Sequence, residues 1–150
     1  MNSNIKSIAL LLATSVAFAA INYTILHNPL IFFITLVLIA HELGHYFAAL
    51  ANGAQVDIPY IIPLPFIGIG ITRIKNFKKL SSKVRRSILL SGPTAGVFTA
   101  LIIFLLLLIN PVVTPFALLF VALFEVLFNY IGSDGRKYRQ IKQEELSCIS

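Results

Sequence analysis

His41 and His45 stand four positions apart, with Glu42, Leu43 and Gly44 between them, inside an apolar run from Pro29 to Ala51. On a helix that spacing puts both imidazoles on one face. Two such histidines can bind one zinc ion, and the glutamate after the first can act as a general base toward water. The pattern fixes only three positions and arises by chance in soluble helices. Its setting gives it weight, because ionisable side chains inside a membrane-length helix are expensive and seldom idle.

Two histidines and a water leave zinc one protein ligand short. The candidates are Asp57 in a Pro-rich segment, Glu125 in the last apolar run and Asp134 in Gly132-Ser133-Asp134-Gly135, while His27 lies in a turn at the far end of its helix. A rise of about 1.5 Å per residue from the outer turns puts His41 roughly 18 Å deep, His45 about 24 Å, Glu125 about 21 Å and Asp134 about 34 Å. A straight helix thus favours Glu125. Gly132 and Gly135 pull the other way, since either can end the helix and let the chain fold back.

The elements that must position these groups follow from composition. Of 150 residues, 57% are hydrophobic and 12% charged, against roughly 45–50% and about 25% in soluble domains. So few charges cannot solvate a globule of this size, and the bilayer is the expected solvent. Four runs reach the roughly 20 apolar residues that a helix needs to cross the hydrocarbon core: 7–26, 29–51, 87–109 and 112–131. Asn28-Pro29 and Asn110-Pro111 join them as two hairpins. The expected fold is therefore an all-α membrane protein of one polytopic domain, residues 1–150, with about four transmembrane helices.

Between the second and third runs, Asn52–Thr72 is apolar but not helical. Pro59, Pro63 and Pro65 interrupt it, and Gly68 and Gly70 follow. Lipid does not accept unpaired backbone, so a hairpin or re-entrant loop packed against the helices, or a segment lying at the interface, is expected. Lys75–Arg86 reads as a basic amphipathic surface stretch. The polar tail, 136–150, is expected in the cytosol and frayed from Gln140. Gly44, Ala48 and Asn52 flank the histidine stripe, and Gly92, Gly96 and Ala100 offer a small-residue stripe for close helix contact.

All twelve Lys and Arg lie at Lys6, between Arg73 and Arg86, or between Arg136 and Lys142. The positive-inside rule then puts both termini and the central loop in the cytosol. The net charge of +6 belongs to these loops, and nucleic acid is not an expected partner. At the first run, Lys6, an apolar stretch and Ala17-Phe18-Ala19 resemble a signal peptide with its cleavage site, but the apolar character continues to Leu26, which favours a retained helix. Cys148, the single cysteine, has no internal partner and is expected as a reduced cytosolic thiol.

The sequence resembles the site-2 protease family of intramembrane zinc metalloproteases. The resemblance rests on Ala40-His41-Glu42-Leu43-Gly44-His45-Tyr46-Phe47-Ala48-Ala49, on Ser91-Gly92-Pro93 and on Ser133-Asp134-Gly135, and it covers about the last three helices in order. It implies one zinc per chain, bound by His41, His45 and Asp134, with Glu42 as the catalytic base. It further implies substrate-positioning or supporting roles near Gly92, Pro93 and Asn129. With Asp134 as the third ligand, Glu125 becomes an acceptor for a ligand imidazole, or a protonated carboxyl. The chain is similar to the smallest members, which lack a PDZ domain. Two departures bear on substrate positioning: Gly96 stands where relatives carry an Asn after the Gly-Pro, and the interval from Asn129 to Asp134 is short and lacks the usual Pro.

The implied function is zinc-dependent hydrolysis of a peptide bond within or beside a transmembrane segment of a membrane-embedded protein or peptide precursor. Two alternatives stay open at this level. One is an inactive accessory or immunity protein with a relict zinc site; the other is a gluzincin-like membrane protease with Glu125 as third ligand.

Overall fold

The computed structural model describes residues 3–65, 68–109 and 132–147. Among them the chain forms α1 (Ser3–Leu26), α2 (Leu30–Ala51), β1 (Tyr60–Pro63), β2 (Gly68–Ile71), a 3-10 turn (Phe77–Lys79), α3 (Ser82–Ile109) and α4 (Ser133–Ser147). The molecule is mostly helical. Among the described residues three segments, Ile8–Leu26, Leu30–Ala51 and Ser82–Leu106, are long and apolar enough to cross a membrane. The expected fourth span, 112–131, with Glu125 and Asn129, lies outside the described residues.

The α1–α2 turn is tight. His27 takes a left-handed φ of 50°, and the Asn28 side chain accepts the Leu30 N–H at 2.9 Å, so α2 starts directly after Pro29. Its other end is a Schellman stop: Ala54 N–H bonds Ala49 C=O, Gly53 N–H bonds Leu50 C=O, and Gly53 supplies the positive φ of 70° that this closure needs. Large apolar side chains such as Val16, Phe47, Phe98 and Leu106 point outward, as they do on helices solvated by lipid.

α2 and α3 pack as the central pair. A Cβ on Gly44 would overlap the Ser91 carbonyl and press on Ala95, so backbone approaches backbone here, as small residues permit. Farther along the pair, Val37, Ala100 and Ile103 form a buried cluster. On the other flank, β1 leans on α1, with Phe18, Ile31 and Ile61 in one core. Thr14 Oγ1 accepts the Ile61 N–H at 3.2 Å. The fully buried Asn22 amide donates to Phe18 C=O at 2.9 Å and Leu64 C=O at 3.3 Å.

The Pro- and Gly-rich segment forms a two-stranded antiparallel sheet in which Tyr60 pairs with Ile71 and Pro63 with Gly68. Two sequence-based boundaries need correction. α3 begins at Ser82, not 87: Lys83, Arg85 and Arg86 stop an apolar run but are good helix formers. The tail is not frayed from Gln140. It is helical to Ser147, held by the buried Ile141 and by two ion pairs to the start of α3, Arg85–Glu144 at 3.3 Å and Arg86–Glu145 at 3.0 Å. Those carboxylates find their partners some sixty residues upstream, which a local reading of a polar tail does not reveal.

Candidate metal centre

His41, Glu42 and His45 occupy the mid-to-late part of α2 and are all buried. One turn of helix brings Nε2 of His41 and Nε2 of His45 to 3.1 Å. Asp134, in the first turn of α4, adds Oδ2 at 3.0 Å from His45 Nε2 and 3.6 Å from His41 Nε2. Ligand atoms about 2.0–2.1 Å from a tetrahedral zinc stand about 3.3 Å apart, so these three separations bracket the expected edge. All three atoms fall within 4.8 Å of one another.

The histidine chemistry fits as well. His45 Nδ1 lies 2.8 Å from the Ile88 carbonyl, which only an N–H can satisfy. Nδ1 therefore carries a proton, and Nε2 is the ring nitrogen turned toward His41 and Asp134. Backbone carbonyls orient metal-binding imidazoles in this way. Gly92 makes the arrangement possible, since a Cβ there would overlap the His45 ring. Pro93 follows it inside α3, where it leaves the Leu89 carbonyl without its usual helical donor.

Burial alone would push the Asp134 carboxyl up. Hydrogen bonds with His41 and His45, reinforced by their charges, outweigh that and hold it well below the usual carboxylate range. A carboxylate and two imidazoles form a donor set suited to zinc.

Glu42 lies on the neighbouring face of α2, toward the sheet. Its Oε2 accepts a 2.6 Å hydrogen bond from Thr72 Oγ1, and its Oε1 faces Gly70, where a Cβ would overlap it. Reading the sequence as isolated motifs missed Thr72, Gly70 and the Ile88 carbonyl. The Gly68-Ile69-Gly70 alternation was the available signal, for glycine at every second strand position marks a close approach.

The other candidates fall elsewhere. Asp57 is half exposed and paired with Lys75 at 3.6 Å. His27 closes the α1–α2 turn. Glu125 and Asn129 lie outside the described residues. The structure thus brings together His41, His45 and Asp134, with Gly92 against the His45 ring.

A relative named as a probable zinc metalloprotease of chloroplasts, EGY2 of Arabidopsis thaliana, is 38% identical over 78 residues. That match covers 51% of this chain but only 14% of the relative. No solved structure matches the chain. The model of peptidase family M50 matches residues 29–144, a span that contains α2, the sheet, α3, Asp134 and nearly all of α4. With both motif histidines, the Gly-Pro and the Asp-Gly inside that span, the chain belongs to peptidase family M50, the site-2 protease family of zinc metalloproteases.

Proposed function

We propose that the protein is an intramembrane zinc metalloendopeptidase, which hydrolyses a peptide bond within or beside a transmembrane segment of a membrane-embedded protein or peptide precursor. The observation that carries this reading is the convergence of His41, His45 and Asp134 from two distant segments, with Glu42 buried alongside. His41 Nε2, His45 Nε2 and Asp134 Oδ2 would hold one zinc ion. Bound there, zinc supplies a Lewis acid for a carbonyl oxygen and lowers the pKa of water.

Glu42 does the proton work. It takes a proton from the attacking water as the oxygen adds to the scissile carbonyl carbon. It then gives that proton to the departing amine as the C–N bond breaks. A substrate helix hides its carbonyls in its own hydrogen bonds, so it must unwind locally. β2 pairs with β1 on one edge only among the described residues, and its other edge can take an extended strand by backbone pairing. Both termini and the loop between α2 and α3 face the cytosol in this reading, and water reaches the site from that basic side. Glu125 would support a ligand imidazole, and Asn129 would help position substrate.

The test is cleavage of a co-expressed single-span membrane peptide by wild type and Glu42→Gln. Wild type should cleave it, and Glu42→Gln should retain zinc and lose cleavage. Equal cleavage by both proteins would reject the mechanism; zinc-loaded wild type inert toward a panel of such peptides would favour the relict-site alternative.

A further inference from the structure

Positions 68, 70 and 72 share one face of the strand, because side chains alternate along it. That face lies against α2. A Cβ at Gly68 would crowd Leu38, and one at Gly70 would overlap the Glu42 carboxylate. Leu38 and Glu42 are one turn apart, so the strand runs along a single stripe of the helix. Two glycines let the backbone lie flush, and Thr72 is the next residue on that face and the first to carry a side chain there.

The local ladder pins this residue in place. Between the Tyr60–Ile71 pair and the Val56–Ile74 bridge, Asp57, Ile58 and Pro59 oppose only Thr72 and Arg73. The extra residue is a bulge on the opposite strand, next to the buried Pro59, which has no N–H to give. Thr72 Oγ1 lies 2.6 Å from Glu42 Oε2 and 3.2 Å from the Glu42 carbonyl. A hydroxyl has one proton to donate, and the shorter, charge-assisted contact takes it.

We propose that Thr72 is a positioning residue for the general base: its hydroxyl holds one carboxylate oxygen of Glu42 and leaves the other, facing the bare backbone of Gly70, to take the proton of the attacking water. The proposal rests on the reading of Glu42 as that base. It also makes the strand that can pair with substrate the strand that aims the base, so a displaced β2 would release the carboxylate.

The experiment uses the full chain in detergent micelles with Thr72→Val, Thr72→Ala and Thr72→Ser beside wild type and Glu42→Gln. The first readout is the carboxylate stretching band of Glu42, assigned by subtracting the infrared spectrum of Glu42→Gln. The band should shift in both donorless variants and return to the wild-type position in Thr72→Ser. The second readout is hydrolysis of a fluorogenic peptide that carries one apolar helix. Thr72→Val should lower kcat by about 10–100-fold, the range typical of lost supporting contacts, with KM and zinc content unchanged, and Thr72→Ser should recover most of it. An unmoved band, a serine variant that restores neither readout, or zinc lost together with kcat would each overturn the positioning role. Wild type that fails to cleave the peptide counts against the protease reading, while the band still decides the role of Thr72.

Discussion

Oδ2 of Asp134 stands 3.0 Å from Nε2 of His45, although the two residues are 89 positions apart. The contact exists because α3 carries no side chain at Gly92, where His45 packs, and because α4 lies back along the first turns of α3. The site is therefore assembled by helix packing and belongs to no single helix.

Bound zinc in purified Asp134→Asn and Glu125→Gln proteins tests which carboxylate completes the ligand set. Asp134→Asn should be the more depleted, since it loses an anionic ligand. Glu125→Gln should keep much of its metal, at a cost within the roughly 10–100-fold typical of supporting contacts. The reverse order would put the third ligand inside the last apolar run.

The histidine pair was legible in the sequence, because a spacing of four on an apolar helix has one geometric meaning. Asp134 was one of three carboxylate candidates in the sequence, and the resemblance singled it out. The straight-helix count favoured Glu125, since it assumes one uninterrupted helix, whereas Gly132 sits in a bend and a helix begins at Ser133. Thr72 could not be found from spacing at all: its partner Glu42 lies 30 residues away, and strand-to-helix register is set by packing. The tail was misread for a similar reason. Its charges looked solvated, and only the fold supplies Arg85 and Arg86 as their partners.

The topology prediction follows from the basic residues. Reporter fusions after Asn28 and Asn110 should report the outside, and fusions after Lys79 and Ser150 the inside. An external signal at Lys79 would invert the arrangement and move water access to the opposite side of the site.

The docking of α4 should depend on Ile141 far more than on its ion pairs. Ile141 is buried on a largely polar helix whose Leu146 is exposed, and truncation of a buried isoleucine to alanine costs about 2–5 kcal/mol. The Arg86–Glu145 pair, with both side chains about 30% exposed, is expected to contribute about 0–1 kcal/mol. Ile141→Ala should therefore speed proteolysis within 133–147 and weaken zinc binding, because Asp134 rides on the same helix. Glu145→Ala should change neither by more than about fivefold, the equivalent of that upper limit. Equal effects of the two substitutions would show that charge, not burial, holds the helix.

Gly92→Ala tests the cradle around His45 directly. The added methyl would overlap the ring at Nε2 and Cε1, so either the ring turns or α3 withdraws. Turning the ring breaks the 2.8 Å bond from Nδ1 to the Ile88 carbonyl, which keeps Nε2 turned toward His41 and Asp134. Withdrawal of α3 opens the tight Gly44–Ser91 contact and carries α4 and Asp134 away from the histidines. Both responses weaken the same three-atom set, and a loss of at least about tenfold in zinc affinity is expected, read by titration against a competing chelator. Gly53→Ala is the matched control. Its methyl would meet nothing within 4 Å, but the residue keeps a φ of +70°, so it should cost about 1–2 kcal/mol in stability and leave zinc affinity unchanged. Wild-type zinc affinity in Gly92→Ala would show that His45 does not need the space that glycine leaves; equal losses in both variants would trace the effect to general destabilisation.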